Sequence, residues 1–208
     1  MSRLGRSFFA RYTPLVAKDL LGCVLVRRFD SKTMSGRIVE VEAYRGRDDP
    51  ASHAFRGITD RTRVMFGEPG HAYVYFTYGN HFCLNVTTEV QGEPGAVLIR
   101  AAEPMRGVEE MRRRRGRERL TDLLSGPGKL TKALGIDLAL NDEDMVTSKK
   151  LFVLAGKKPA GVISSTRIGL SAGRDFEWRY SVEGSRFVSG ARTHNYRVRD
   201  AVSTGVVG

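Results

Sequence analysis

Two glutamates, Glu40 and Glu42 in the run IVEVEAY, are by type and spacing the residues of this 208-residue chain best suited to acid–base chemistry. The run alternates with a period of two, so a strand there puts Val39, Val41 and Ala43 on one face and Glu40, Glu42 and Tyr44 on the other. The two carboxyl groups then emerge on one side, about 7 Å apart along the strand, as a general acid or base requires of a shared site. Two solvated carboxylates on a half-exposed strand fit the same pattern. Arg100 shifts the balance. It follows Ala96-Val97-Leu98-Ile99, which reads as buried, and a guanidinium there needs a carboxylate or a charged ligand to offset its desolvation. The outcome is either a structural Arg–Glu pair or a pair that also holds a water, which is a hydrolytic site.

A second group is aromatic: Tyr44, His53, Tyr73, Tyr75 and Tyr78, with Tyr73 and Tyr75 on one strand face. Tyrosine offers a stacking plane with a polar tip, and such planes bind flat ligands, nucleobases included. A tyrosine ladder on an amphipathic sheet is the alternative for Tyr73 and Tyr75. Tyr78, in the turn Tyr78-Gly79-Asn80-His81, is poorly placed for a core and well placed to wedge into a partner. A third group is basic: Arg56, Arg61 and Arg63 in a polar stretch, and Arg112 to Arg115 with Arg117 and Arg119 in a helical one. Charge runs commonly form solvated faces. With 34 Lys and Arg against 23 Asp and Glu, a net charge of +11, a phosphate backbone is the natural partner. Gly126-Pro-Gly-Lys129 is not a nucleotide-binding P-loop, because Leu123 and Leu130 stand where that motif needs Gly and Ser or Thr. Its amides and Lys129 still suit one phosphate. His71, His81 and His194 lack metal-ligand spacing, as do Cys23 and Cys83, so neither a metal nor a disulfide framework is expected.

The elements that position these residues follow from the same reading. Thr13-Pro14 opens a short helix that Gly22 can end, with Thr13 as the cap. CVLVRRF and RIVEVEAY are strands joined by a turn at SKTMSG, and residues 45 to 70 form a long functional loop. Tyr73 to Tyr78 and Phe82 to Thr88 make a hairpin with a two-residue turn, followed by a buried strand from Gly95 to Ala101. Residues 106 to 119 form a basic helix, with Glu109–Arg113 and Glu110–Arg114 at i,i+4 spacing. LTKALG forms a short helix that buries Leu130, Ala133 and Leu134, Asn141 to Asp144 a turn or helix start, and LFVLAG, GVISSTRIGL and RFVSG further strands. Composition at 41% hydrophobic and 27% charged fits a globular chain, with no apolar run long enough for a membrane span and no secretory signal. A reducing, intracellular setting is expected. No repeat or linker divides the chain, so one domain over 1–208 is expected, with 1–12 and 191–208 peripheral or flexible.

These residues together resemble the alkyladenine (3-methyladenine, methylpurine) DNA glycosylase family. The resemblance runs from about Thr13 to Gly190. It rests on IVEVEAY with His53 eleven residues beyond Glu42, on YVYFTYGNHFCLN, on VLIRAAEP and on SGPGKL. It implies a mixed α+β domain around a curved, mostly antiparallel sheet with flanking helices, and a protruding β-hairpin that enters the DNA minor groove. No metal or organic cofactor is implied. Position by position, it makes Glu42 the general base that activates water and Arg100 a residue that helps hold that water. Tyr44 and His53 would stack on one face of a flipped purine and Tyr75 on the other, with Tyr73 lining the pocket. Asn85 would exclude normal guanine, and Tyr78 would fill the gap in the duplex. Arg56, Arg61, Arg63 and Lys129 would meet the backbone. The implied partner is double-stranded DNA carrying damaged purines, met by a monomer whose abasic product passes to an endonuclease. In the two-residue hairpin register Asn85 falls opposite Val74 and faces away from Tyr73 and Tyr75, so a bulge or another register is required. A non-catalytic nucleic-acid-binding module and a hydrolase of free nucleosides are the competing readings; the second leaves the basic helix and Tyr78 unexplained.

Overall fold

The computed structural model describes residues 1–29, 31–77, 79–170 and 172–190. Eight antiparallel strands form one curled sheet, with helices packed against it: β1 (Val24–Phe29), β2 (Lys32–Arg45), β3 (Ala72–Thr77), β4 (His81–Thr88), β5 (Gly95–Arg106), β6 (Leu151–Leu154), β7 (Val162–Ser165) and β8 (Arg179–Val182). Along the sheet the order is β3-β4-β5-β2-β1-β6, and β8, carrying β7, pairs with β2 at Glu40 to Glu42. β2 is the axis of the fold. One of its edges stays on β5, while the other pairs first with β1 and then with β8. This exchange of partners, with the right-handed twist of strands, curls the sheet around the two glutamates.

Within the segment SKTMSG, strand begins at Lys32, and the turn expected over its whole length is confined to its start. Lys32 pairs with Phe29 and the ladder continues through Gly36. The glycine serves close packing here: a Cβ at Gly36 would lie 2.8 Å from a Leu124 methyl and 3.0 Å from the Ala102 Cβ. β2 and β5 lose register around Ile38–Val41, where Val39 and Arg100 fall outside the ladder. The irregularity changes the faces. Ile38, Val41 and Ala43 belong to the main core with Val97, Ile99 and Ala102, whereas Val39 packs with Ala101, Phe187 and Val188. Val39 therefore does not share a face with Val41 and Ala43, because a bulge shifts the two-residue alternation by one.

The β3–β4 hairpin also corrects the expected register. Thr77 pairs with His81 and Tyr73 with Asn85, so the loop has three residues, not two. Gly79 adopts φ +70°, a left-handed conformation that suits glycine in such a loop. The change of one residue puts Asn85 on the Tyr73 face. The C-terminal run RFVSG is turn, and the strand is β8 upstream of it.

Among the described residues there are four α-helices: α1 (Arg6–Phe9), α2 (Thr13–Leu20), α3 (Val108–Arg115) and α4 (Pro127–Leu134). Thr13 is the first residue of α2 rather than its cap, and its N–H donates to Glu89 Oε1 at 2.7 Å. The start of α2 is thus capped by a carboxylate from a distant loop, where the helix dipole favours negative charge. In α4, Leu130, Ala133 and Leu134 are buried and Gly135 ends the helix at φ +62°. In α3 Met111 is the buried residue, and Arg113 pairs with Glu110 rather than Glu109. The first twelve residues are anchored: Leu4 N–H donates to the Val153 carbonyl, Arg6 pairs with Asp144, and Phe9 is buried. Among the described residues no helix is long and apolar enough to cross a membrane.

Candidate active site

The concave face of the sheet carries Glu40, Glu42 and Tyr44 from β2, Leu98 and Arg100 from β5, Cys83 and Asn85 from β4, and Tyr73 and Tyr75 from β3. Arg100 joins the two glutamates. Its Nε donates to Glu40 Oε1 at 3.0 Å and its Nη1 lies 3.1 Å from Glu42 Oε2. Both carboxylates are fully buried and Arg100 is nearly so. Burial opposes the charge on Arg100, but the adjacent Glu42 and Glu40 outweigh it and raise its pKa, so it stays cationic.

The two glutamates have different surroundings. Glu40 receives Arg100 Nε, Arg179 Nε at 2.8 Å, and both the N–H and the hydroxyl of Ser189. Burial raises its pKa, yet the two arginines and the Ser189 amide prevail and hold it below the ordinary value. Glu42 receives Arg100, the Ile168 N–H on Oε1 at 2.8 Å, and the Tyr44 hydroxyl on Oε2 at 2.7 Å. Burial and the neighbouring Glu42 carboxylate raise the Tyr44 pKa well above 10.0, so the hydroxyl keeps its proton.

In front of this charged floor lies a cavity of about 220 Å³, lined among others by Tyr44, His53, Tyr73, Tyr75, Cys83, Asn85, Leu98, Arg100, Pro127 and Ile168. The five base-pocket residues expected from sequence are all on its wall. Asn85 Nδ2 donates to the Tyr73 carbonyl at 3.0 Å; because that carbonyl only accepts, the amide orientation is fixed. His53, at the start of a 3₁₀ turn (His53–Arg56), bonds through Nδ1 to the Tyr73 hydroxyl at 2.9 Å. Its pKa is lowered by desolvation and by the adjacent Arg61, so the ring is neutral at pH 7. The rings of His53 and Tyr75 touch edge to face at 4.6 Å, and a flat ligand enters between them only if they part.

All four residues expected at the DNA backbone are exposed, and Arg61 leans on the cavity rim. Its guanidinium lies 4.9 Å from the Tyr75 ring centre, and Nη2 is 3.4 Å from His53 Nε2. Arg56 and Arg63 are exposed on the same long loop, and Lys129 is exposed on α4 with Nζ 3.4 Å from Ser125 Oγ. Tyr78 lies outside the described residues, as does His194. Among the described residues no cluster of three or more His, Cys, Asp or Glu forms a metal site.

Sequence reasoning missed a second buried ion pair. Arg167 and Asp49, both with fully buried side chains, form a two-pronged pair; Arg167 also donates to the carbonyls of Ala43 at 2.8 Å and Gly173 at 3.1 Å. The guanidinium lies 4.7 Å from the Tyr44 ring centre and 5.3 Å from that of Trp178. Asp49 accepts from the N–H of Arg45 and of Ala51, which shapes the loop that leads to His53. Arg167 stands alone among uncharged residues in ISSTRIGL, the same signal that marked Arg100.

The family model of methylpurine-DNA glycosylases matches residues 7–186. A protein of Carboxydothermus hydrogenoformans is 49% identical over 188 residues, covering 89% of this chain and 98% of its own. One from Methanoculleus marisnigri is 48% identical over 89% of this chain and 98% of its own, and one from Rubrobacter xylanophilus 50% identical over 81% and 87%. All three are provisionally named 3-methyladenine DNA glycosylases. With a match across nearly all of its described length, this chain belongs to the methylpurine-DNA glycosylase family.

Proposed function

We propose that this protein is a monofunctional DNA glycosylase that flips methylated purines out of duplex DNA and hydrolyses the N-glycosidic bond, leaving an abasic site for an endonuclease. The observation that carries the reading is a buried Glu42–Arg100 centre at the floor of an aromatic cavity of about 220 Å³. Flipping costs a few kcal/mol, least for damaged or mismatched pairs, and that difference contributes selectivity. A base alkylated at N3 or N7 is a cation. It stacks between Tyr44 and His53 on one face and Tyr75 on the other, and the neutral His53 adds no opposing charge. As the bond breaks, positive charge grows on the sugar. The anionic Glu42 stabilises that charge and accepts the proton of the attacking water, which Arg100 helps hold.

Asn85, fixed by the Tyr73 carbonyl, stands where the amino group of a normal guanine meets it. Hypoxanthine and ethenoadenine are further substrates under this reading, and being neutral they leave less readily than alkylated purines. No lysine occurs among the described residues that line the cavity, which favours hydrolysis over Schiff-base chemistry. Arg56, Arg61, Arg63 and Lys129 contact phosphates, and Tyr78 fills the vacated stack.

The test is excision from duplexes carrying single 7-methylguanine, 3-methyladenine, hypoxanthine or ethenoadenine lesions, read as released base and as strand breaks after alkali. Wild-type protein should release base with no break before alkali, and Glu42→Gln should slow release about 10²–10⁴-fold. Binding of every duplex without release would replace this reading with that of a non-catalytic binding module.

A further inference from the structure

Glu42 is fully buried and does not itself line the cavity, whereas three of the groups bonded to it do. Arg100 and Ile168 are two of these, and the third is Tyr44, whose hydroxyl donates to Glu42 Oε2 at 2.7 Å. Arg100 has no proton to exchange at working pH, because its guanidinium remains charged. The Ile168 N–H is an amide. Of the three, only the Tyr44 hydroxyl can take a proton on its oxygen while giving one from it.

Tyr44 is also held in place. Its ring lies against Arg167, which is fixed by the two-pronged pair with Asp49 and by the carbonyls of Ala43 and Gly173. Exposure of Glu42 by a swing of Tyr44 would break the Tyr44–Glu42 bond and remove the ring from a buried cation. Such a guanidinium–ring contact is strengthened by desolvation.

We propose that the Tyr44 hydroxyl is a catalytic proton relay between the attacking water and Glu42. The inference rests on the glycosylase reading above. As the glycosidic bond breaks and its electron pair leaves with the base, the water oxygen bonds to C1′ of the sugar. The water proton passes to Tyr44 Oη, and the Tyr44 proton passes to Glu42 Oε2. Glu42 ends protonated, Tyr44 ends neutral, and the proton is lost to solvent when product leaves. The high pKa of Tyr44 fits this role, since tyrosinate does not accumulate and the two transfers occur together. In this arrangement Tyr44 both stacks on the base and serves the nucleophile.

The experiment is Tyr44→Phe, which keeps the ring and removes the hydroxyl, assayed in single turnover on a 7-methylguanine duplex beside wild type and Glu42→Gln. The relay predicts an excision rate about 100-fold below wild type, with affinity for the duplex within threefold. Excision within about threefold of wild type overturns it, because the hydroxyl is then a cover and not a path. If Glu42→Gln excises normally, the glycosylase reading of Glu42 has failed; if only Tyr44→Phe does, the relay alone has failed. Wild-type protein in H₂O–D₂O mixtures gives a check independent of any variant. A bowl-shaped dependence of rate on deuterium fraction reports two moving protons, and a linear or flat one overturns the relay.

Discussion

β2 and α3 both set glutamates against arginines, under opposite conditions. In β2 the carboxylates of Glu40 and Glu42 are fully buried and Arg100 reaches both at 3.0 and 3.1 Å. In α3 the Glu109 and Arg113 side chains are 84% and 68% exposed, and their pairs lie one turn apart on a helix surface. Water competes at Glu109 and Arg113, so their pairs contribute little, and the helix presents a cationic face with its carboxylates as partial counterweights. In β2 the carboxylates are shut off from bulk solvent. Each charge there is tolerated only because the others are present, and that mutual dependence fixes the position of Arg100 and Glu42. The same residue types serve a long-range field in one place and an aligned reaction centre in the other.

Breaking the buried set should have the largest effect. Glu40→Ala strands Arg100 and Arg179 without their shared carboxylate and should cost about 3–5 kcal/mol of stability, read by urea unfolding. A loss below about 1 kcal/mol would mean that water reaches this centre. Acid sharpens the same point. The pKa of Glu40 is lower folded than unfolded, so the unfolded chain binds its proton first. Its stabilisation is complete above the ordinary carboxyl pKa of 4.5 and is lost as pH falls from there through the lowered folded value. Glu40→Gln should therefore flatten the fall in stability over that window, and an unchanged slope would assign the acid sensitivity elsewhere.

On the exposed side the effects are electrostatic and smaller. Arg117→Gln and Arg119→Gln should each weaken binding to undamaged and damaged duplexes alike and reduce the slope of log affinity against log salt by about 1. A slope unchanged in both variants would place the segment that follows α3 outside the DNA footprint. The smallest effect is expected for Glu109→Gln, which should move the melting temperature by no more than about 2 °C. A larger shift would mean that α3 depends on its ion pairs more than its exposure suggests.

Much of the site could be read from residues alone, and the parts that could not share a cause. Alternation placed Glu40, Glu42 and Tyr44 together, and the need of a buried arginine for a counter-charge joined Arg100 to them. The pocket position of Asn85 required a register other than the two-residue hairpin, and the loop of three residues, which fits the sequence equally well, supplies it. Val39 was misplaced because a bulge has no side-chain signature in so regular a run. The turn expected over all of SKTMSG is confined to its start because Gly36 accommodates Leu124 and Ala102 rather than bending the chain. Asp49 and Arg167 are 118 residues apart, and nothing near either names the other. Local pattern determines what a side chain needs; the fold determines which distant group supplies it.

The bond from Ile168 to Glu42 also limits what mutagenesis can find. Ile168 is 45% exposed as a residue, while its backbone N–H is one of three donors to the central carboxylate. An alanine scan would leave that donor untouched and read only the loss of the side chain from the cavity wall. Among natural substitutions only proline deletes the amide proton itself. Part of the site's chemistry thus resides in a group that the genetic code can scarcely edit.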